Sequence, residues 1–270
     1  MPMKTTGTSC KRWEFSVISI KSPIQLEKMR RAGSLLYEVM QKLQEAVRPG
    51  ESTAAIDAYA EELIRRSDAI PSFLNYRGFP ASICASVDDE VVHGIPSDDV
   101  ILQEGSILSI DCGLILDGWQ ADSAITVPVG EVPERLKRLI EVTRNSFFEG
   151  ARRAVSGNRV GDIGHAVQTL AEGRGFGVIR DLTGHGIGRS MHEDPAVPNF
   201  GEPGQGARLK PGMTLAIEPM ISLGGWHVKQ LDDGWTIKTL DGSPCAHYEH
   251  TIAVTEGLPE IFTLPGFAWQ

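Results

Sequence analysis

Along the first part of the chain, apolar or small residues recur at helical spacing, at Leu26, Met29, Gly33, Leu36, Met40, Leu43 and Val47. This predicts a helix with one core-facing stripe. Ser22, Pro23 and Gln25 supply an N-cap, a first-turn proline and a capping-box partner, and Pro49-Gly50 stops the pattern. A second helix is predicted from about Thr53 to Arg66. The arrangement then returns: Leu136, Leu139, Val142, Phe147, Ala151 and Val155 share one face, and Val167, Leu170 and Ala171 follow before Gly173 and Gly175. Each helix pair leads into β-rich sequence, predicted over 82–92, 107–116, 119–129, 213–222, 235–240 and 247–254. Helices segregated from hairpin-linked strands indicate an α+β fold.

The return of the pattern is a repeat in the sequence itself. VVHGIPSDD and ILQEGSILSID in the first half correspond to TGHGIGRSMHEDP and ARLKPGMTLAIEP in the second. In each, a His-Gly-Ile triplet (His93, His185) is followed by Leu-x-x-Gly-x-x-Leu-x-Ile and then an acid, Asp111 or Glu218. Residues 47–56 align more weakly on 155–163. Two related halves would bring equivalent acids near one pseudo-twofold axis.

Composition narrows the class. At 270 residues with 41% hydrophobic content, the chain can bury a substantial core. No apolar run near the start resembles a secretion signal and none is long enough to span a bilayer, so a cytoplasmic protein with no membrane contact is expected. Cys10, Cys84, Cys112 and Cys245 are scattered and form no Cys-x-x-Cys pair, which argues against a zinc ribbon or disulfide framework. The net charge is −9, although residues 1–42 carry eight Lys or Arg against three Glu. A DNA-coating protein would not be so acidic overall. The basic start reads as a solvated helix face, with a docking patch for ribosomal RNA as the alternative.

Asp111 and Asp122 flank the hairpin signal Asp117-Gly118. If those two residues form the loop, Leu116 faces Trp119, Asp111 faces Ala124, and Asp122 is the diagonal neighbour of Asp111 on the same face. Two acids among Leu108, Ile110 and Leu114 would repel one another, and a cation would resolve the repulsion. A single such aspartate would read as a solvated strand residue, but other unusual placements accompany this pair. Glu218 lies in LAIEPM and Glu249 in HYEHTIAV, both apolar contexts. His185 lies in GHGIG, expected to be a glycine-rich turn that lets backbone approach a ligand. Two Asp, two Glu and one His suit two divalent ions better than a thiolate-rich structural zinc.

The segments VHGIP (92–96), IDCG with ADS (110–113 and 121–123), GHGIGRSMHEDP (184–195), IEPM (217–220) and YEHT (248–251) resemble the motifs of the bacterial-type (type I) methionine aminopeptidases of peptidase family M24. The likeness runs from about Ile18 to Thr263. It implies a pita-bread fold, a curved antiparallel sheet backed by two helix pairs. The implied organisation is a short extension, 1–17, and one catalytic domain, 18–270, built of halves at about 18–130 and 131–263. It implies two divalent ions (Co, Mn, Fe or Zn) on Asp111, Asp122, His185, Glu218 and Glu249. Water held between such ions ionises near neutral pH. Glu218 is then the expected general base, His192 the partner of the scissile carbonyl, and His93 the contact to the leaving side. The methionine pocket would be walled by Phe73, Tyr76, Phe79, Cys84, Met191 and Trp235. Of these, Phe73, Phe79 and Met191 depart from the commonest bacterial pattern of Cys, Tyr and Phe, which alters pocket shape but not apolar character. His165, His227, His247 and His250 match no implied role and are expected at the surface or behind the ligands. The expected partners are the N-termini of nascent polypeptides, with transient ribosome contact and a monomeric state. The rival readings are a proline-specific aminopeptidase or prolidase of the same fold, and a catalytically silent binding scaffold.

Overall fold

The computed structural model describes residues 18–269; the short extension, with Cys10 and three of the eight basic residues of the start, lies outside that range. Helix α1 (Pro23–Ala46) begins as its sequence predicts, because the Ser22 hydroxyl accepts from the Gln25 backbone while the Gln25 side chain accepts from the Ser22 N–H. Its buried stripe holds Met29, Ala32, Gly33, Leu36, Val39, Met40 and Leu43. Gly33 is required by close approach, since a Cβ there would lie 2.6 Å from the backbone of Phe262. Helix α2 (Thr53–Arg66) is capped by Ser52. The second pair, α3 (Glu134–Ala151) and α4 (Val160–Gly173), repeats the plan, although α3 ends before Val155, which the periodicity placed on its face.

The strands, in chain order, are β1 (Ile70–Pro71), β2 (Ile83–Val87), β3 (Glu90–Val92), β4 (Ile107–Leu116), β5 (Trp119–Pro128), β6 (Gly177–Val178), β7 (Thr183–Gly186), β8 (Glu193–Pro198), β9 (Thr214–Ile217), β10 (Met220–Ser222), β11 (Val228–Gln230), β12 (Ile237–Thr239), β13 (Cys245–His247), β14 (Glu249–Ala253) and β15 (Glu260–Ile261). Nine of them form one antiparallel sheet, ordered β1-β4-β5-β14-β9-β7-β8, with β2 also on β4 and β15 on β14. Two three-stranded sheets, β13-β10-β6 and β11-β12-β3, flank it. The α1–α2 pair buries Leu36, Leu43, Ile56 and Ile64 with Ile83, Ile110 and Leu114. On the second half, Phe147, Ala151 and Ile163 pack with Leu215, Ile217 and Ile252. This is the α+β pita-bread architecture, with its helix–helix–strand order occurring twice.

Three expected strands are interrupted. The segment 82–92 divides at Asp88, whose φ is 51° and whose carboxylate accepts from the Ile107 N–H and the Ser106 hydroxyl. The segment 213–222 divides at Glu218-Pro219, where proline has no N–H for a ladder. The segment 247–254 divides at Tyr248. The last two breaks lie opposite one another. On one side β14 pairs with β9, His250 facing Ile217, and on the other β13 pairs with β10, His247 facing Met220; Tyr248 N–H donates to Pro219 C=O between them at 3.2 Å. Both chain segments therefore leave the large sheet for a small one at the same place.

Candidate metal centre

The β4–β5 hairpin forms in the predicted register. Asp117 and Gly118 both have positive φ, 53° and 76°, and Leu116 pairs with Trp119, Asp111 with Ala124 and Gly113 with Asp122. Asp111 and Asp122 thus project from the same face, and both border one cavity. Strand β14 lies beside β5 with Glu249 opposite Ala124. Thr251 Oγ1 clamps the two strands, accepting from Asp122 N–H and donating to Asp122 C=O, both at 2.9 Å. Glu249 is 2% exposed.

His185 is not in a turn. It lies in β7, opposite Ala216 of β9, and its flanking glycines answer to packing between strands. A Cβ on Gly184 would come 2.4 Å from Ala216 C=O, and one on Gly186 would come 2.3 Å from Asp194 C=O. His185 Nδ1–H donates to Gly186 C=O at 2.9 Å, which turns the Nε2 lone pair toward the acids. That nitrogen lies 3.8 Å from Asp122 Oδ2 and 3.6 Å from Glu218 Oε1. Glu218 itself stands at the β9–β10 break, where Asn199 donates to its carbonyl.

Two sets of side-chain atoms come together within 4.8 Å: Asp122, His185 and Glu249, and Glu218, His247 and Glu249. Asp111 stands beside them through Asp122. His247 is the residue that sequence reasoning left without a role. It is fully buried, and its Nε2 is 3.8 Å from Glu218 Oε2 and 3.9 Å from Glu249 Oε2. His250 is also buried, held by Ser123 and Thr263, whereas His165 and His227 are exposed, as expected for residues outside the site.

The electrostatics identify what the cluster accommodates. Burial raises the Asp111 carboxyl to about 7. Burial, reinforced by the neighbouring acids, pushes Asp122, Glu218 and Glu249 well above the usual carboxylate range. Burial also lowers His185 to about 4 and His247 to about 3, so both imidazoles are neutral. Asp111 Oδ1, Asp122 Oδ1, Glu249 Oε1 and His247 Nε2 are buried without hydrogen-bond partners. Crowded acids, neutral imidazole lone pairs and unanswered acceptors are the donor set of a divalent cation site.

A cavity of about 180 Å³ opens onto these groups. It is bordered by Phe73, Tyr76, Phe79, Cys84, His93, His192 and Trp235 as well as by the acids. Met191 is buried in the same apolar cluster but does not border the cavity; it meets Phe73 over Gly113, where an added Cβ would be 2.8 Å from Met191 Cε and 3.1 Å from Phe73 Cε1. Arg77, which sequence reasoning missed, does border it, carried at φ 51° in the tight turn Tyr76–Gly78. A left-handed arginine before glycine leaves no periodic signal. His192 is exposed, lies 4.3 Å ring to ring from His185, and its Nδ1 is 2.9 Å from the Tyr76 hydroxyl. His93 has φ 59° and meets Trp235 edge-on at 6.3 Å. Burial lowers His93 below its ordinary value, and His192 is lowered by the partial desolvation of its ring against the cavity wall and by the nearby Arg77 charge.

The model of metallopeptidase family M24 matches residues 27–256. The chain belongs to this family. A "Methionine aminopeptidase" of Clostridium acetobutylicum is 51% identical, over 92% of this chain and 99% of that one. The crystal structure of methionine aminopeptidase from Rickettsia prowazekii superposes with a TM-score of 0.90 at 42% identity, covering 92% of this chain and all of the other. An Xaa-Pro dipeptidase from Bacillus anthracis shares the fold, with a TM-score of 0.73 at 20% identity, and this chain covers 63% of it. As an M24 metallopeptidase, the chain is a hydrolase that uses divalent metal. No helix among the described residues is long and apolar enough to cross a membrane.

Proposed function

We propose that this chain is a methionine aminopeptidase that removes the initiator methionine from new polypeptides whose second residue is small. The observation that carries the reading is the junction of an apolar cavity with the buried acids and imidazoles: a methionine side chain placed among Phe73, Phe79, Cys84 and Trp235 has its own backbone beside them.

Asp111, Asp122, His185, Glu218 and Glu249 would hold two divalent ions, drawn from Co, Mn, Fe or Zn. Ions bound there would activate water and polarise the scissile carbonyl. Glu218, half-buried and bordering the cavity, accepts the proton of the attacking water and returns it to the departing amine. The Tyr76 hydroxyl donates to His192 Nδ1, leaving Nε2–H to donate to the scissile carbonyl oxygen, an interaction commonly worth about 3 kcal/mol as charge develops. His93, braced against Trp235, contacts the amide on the leaving side. The lowered pKa values of both histidines keep them neutral donors near pH 7. The reading includes a cytoplasmic monomer acting on nascent chains, in transient contact with the ribosome. The free thiols of Cys84, Cys112 and Cys245 are compatible with reducing surroundings.

The test is hydrolysis of Met-Gly-Met-Met against Xaa-Pro peptides, with and without chelator. Chelator-sensitive release of methionine is expected. Preference for Xaa-Pro bonds would favour the prolidase reading, and inactivity of metal-loaded protein on both would favour a binding scaffold.

A further inference from the structure

We propose that His247 is a sixth metal ligand, so that each of the two ions is held by one imidazole nitrogen. The inference rests on the metal reading above and goes beyond the set of five, in which His185 is the only nitrogen donor.

The geometry around His247 repeats that around His185. His185 Nε2 stands 3.8 and 3.6 Å from carboxylate oxygens of Asp122 and Glu218, and His247 Nε2 stands 3.8 and 3.9 Å from those of Glu218 and Glu249. Glu218 directs Oε1 at one imidazole and Oε2 at the other. Glu249 belongs to both sets of converging atoms. Two sets of acids that share Glu249, each closed by one imidazole, would suit two cation positions of similar make-up.

The bland alternative is a core histidine satisfied by the fold, and the fold does not satisfy this one. His247 is 1% exposed and its Nε2 has no hydrogen-bond partner. Its backbone is fixed by Thr126, whose hydroxyl accepts from His247 N–H at 2.8 Å and donates to His247 C=O at 2.9 Å. The ring is thus held by a rigid strand end with its free nitrogen among acids. His250 provides the contrast. Its Nε2 is also unpartnered, but it borders a different cavity, beside Tyr37, Met40 and Arg144, and no acid within ion-pair distance of it is found among the described residues. An ion between Glu218, Glu249 and His247 would be reached from the active-site cavity, which both glutamates border.

Imidazole suits Fe, Co and Zn better than Mn, for which oxygen donors suffice. Apoprotein titrated with Co(II) by calorimetry should bind two equivalents, and X-ray absorption of the loaded wild type should count two imidazoles per protein. His247→Gln should lose one imidazole and weaken the second equivalent at least about tenfold for Co(II), with a smaller loss for Mn(II). His185→Gln should weaken the other equivalent. A count of one imidazole per two ions in the wild type would overturn the proposal without requiring any variant to fold. So would a His247→Gln protein with unchanged imidazole count and affinities. A wild type that binds no metal would overturn the metal reading together with this one.

Discussion

Removing metal should reverse the pH dependence of stability. In metal-free protein the acids at the centre hold protons more tightly than they do in the unfolded chain. Asp111 is raised from 3.8 to about 7, and Asp122, Glu218 and Glu249 are raised well above the usual carboxylate range. A group whose folded pKa is raised contributes stability that is complete below its unfolded value and is lost as pH rises through the folded one. His185 and His247 act oppositely, because their folded values of about 4 and about 3 lie below 6.5; their effect falls mainly below about pH 6.5 and fades by about pH 7.5, as the unfolded chain stops taking up protons that the folded one refuses. Between about pH 6.5 and 8.5 the acids of the centre outweigh the two imidazoles beside them.

Across that window Asp111 alone should cost about 1 kcal/mol. Asp122, Glu218 and Glu249 add to the fall in the same direction. At about 2–4 °C per kcal/mol for a chain of this size, the melting temperature of exhaustively chelated protein should fall by several degrees. Metal-loaded protein should show the reverse, because ions compete with the same protons and bind more tightly as pH rises. The assay is thermal unfolding by circular dichroism at half-unit pH steps, with Asp111→Asn as a control that removes the Asp111 share of the slope. A metal-free melting temperature that is level or rises from pH 6.5 to 8.5 would refute the reasoning, since the acids would then not be protonated in the fold.

Other perturbations separate the remaining parts of the site. Glu249→Ala removes the member shared by both converging sets and should lower bound metal and reduce turnover by orders of magnitude, read by elemental analysis and peptide hydrolysis. His93→Ala and His192→Ala should keep full metal content yet lose turnover; loss of a metal equivalent in either would show that the roles are misassigned. Gly184→Ala places a methyl group 2.4 Å from Ala216 C=O and should destabilise by about 1–3 kcal/mol or more through forced separation of β7 and β9, measured by denaturant unfolding. Arg77 is exposed at the cavity mouth with no ion-pair partner among the described residues, so Arg77→Gln should lower the ratio of kcat/KM for acidic over basic residues beyond the second position by about threefold.

What could be read from the chain was whatever short-range chemistry determines. The capping box at Ser22, the stripe on α1 and the two-residue turn at Asp117-Gly118 each follow from neighbours within a few positions, and the turn alone fixed the register that puts Asp111 and Asp122 on one face. The missed strands, β1, β6, β7, β8, β11 and β15, have two to six residues, too few for a periodicity to announce them, and β1 and β6 find their partners tens of residues away. The glycines around His185 suggested a turn because their true cause, the crowding of Ala216 and Asp194 carbonyls, belongs to the neighbouring strands β9 and β8, whose pairing no local pattern announces. Met191 is similar: its neighbours place it in the right apolar cluster, but whether it touches the cavity depends on Phe73 lying in front of it.

The same limit explains His247, and it shows why the fold produces such a centre. Alternation along a continuous strand would put His247 and Glu249 on one face and leave open which face that is. The break at Tyr248 places Glu249 at the start of a strand in the large sheet and His247 at the end of one in a small sheet. Opposite, the break at Pro219 does the same around Glu218, and the Tyr248 N–H to Pro219 C=O bond ties the two breaks together. Where two paired strands change sheets at one level, backbone hydrogen bonding remains satisfied while side chains on either side of the break converge from two sheets. Acids can then gather in a buried position without disrupting a ladder, and the repulsion between them is left for a bound cation to cancel. The interrupted strands are therefore part of the metal site: a substitution that let 213–222 run on as one strand, such as Pro219→Val, should disperse Glu218 from Glu249 and His247 and lower metal affinity even though no proposed ligand has been changed.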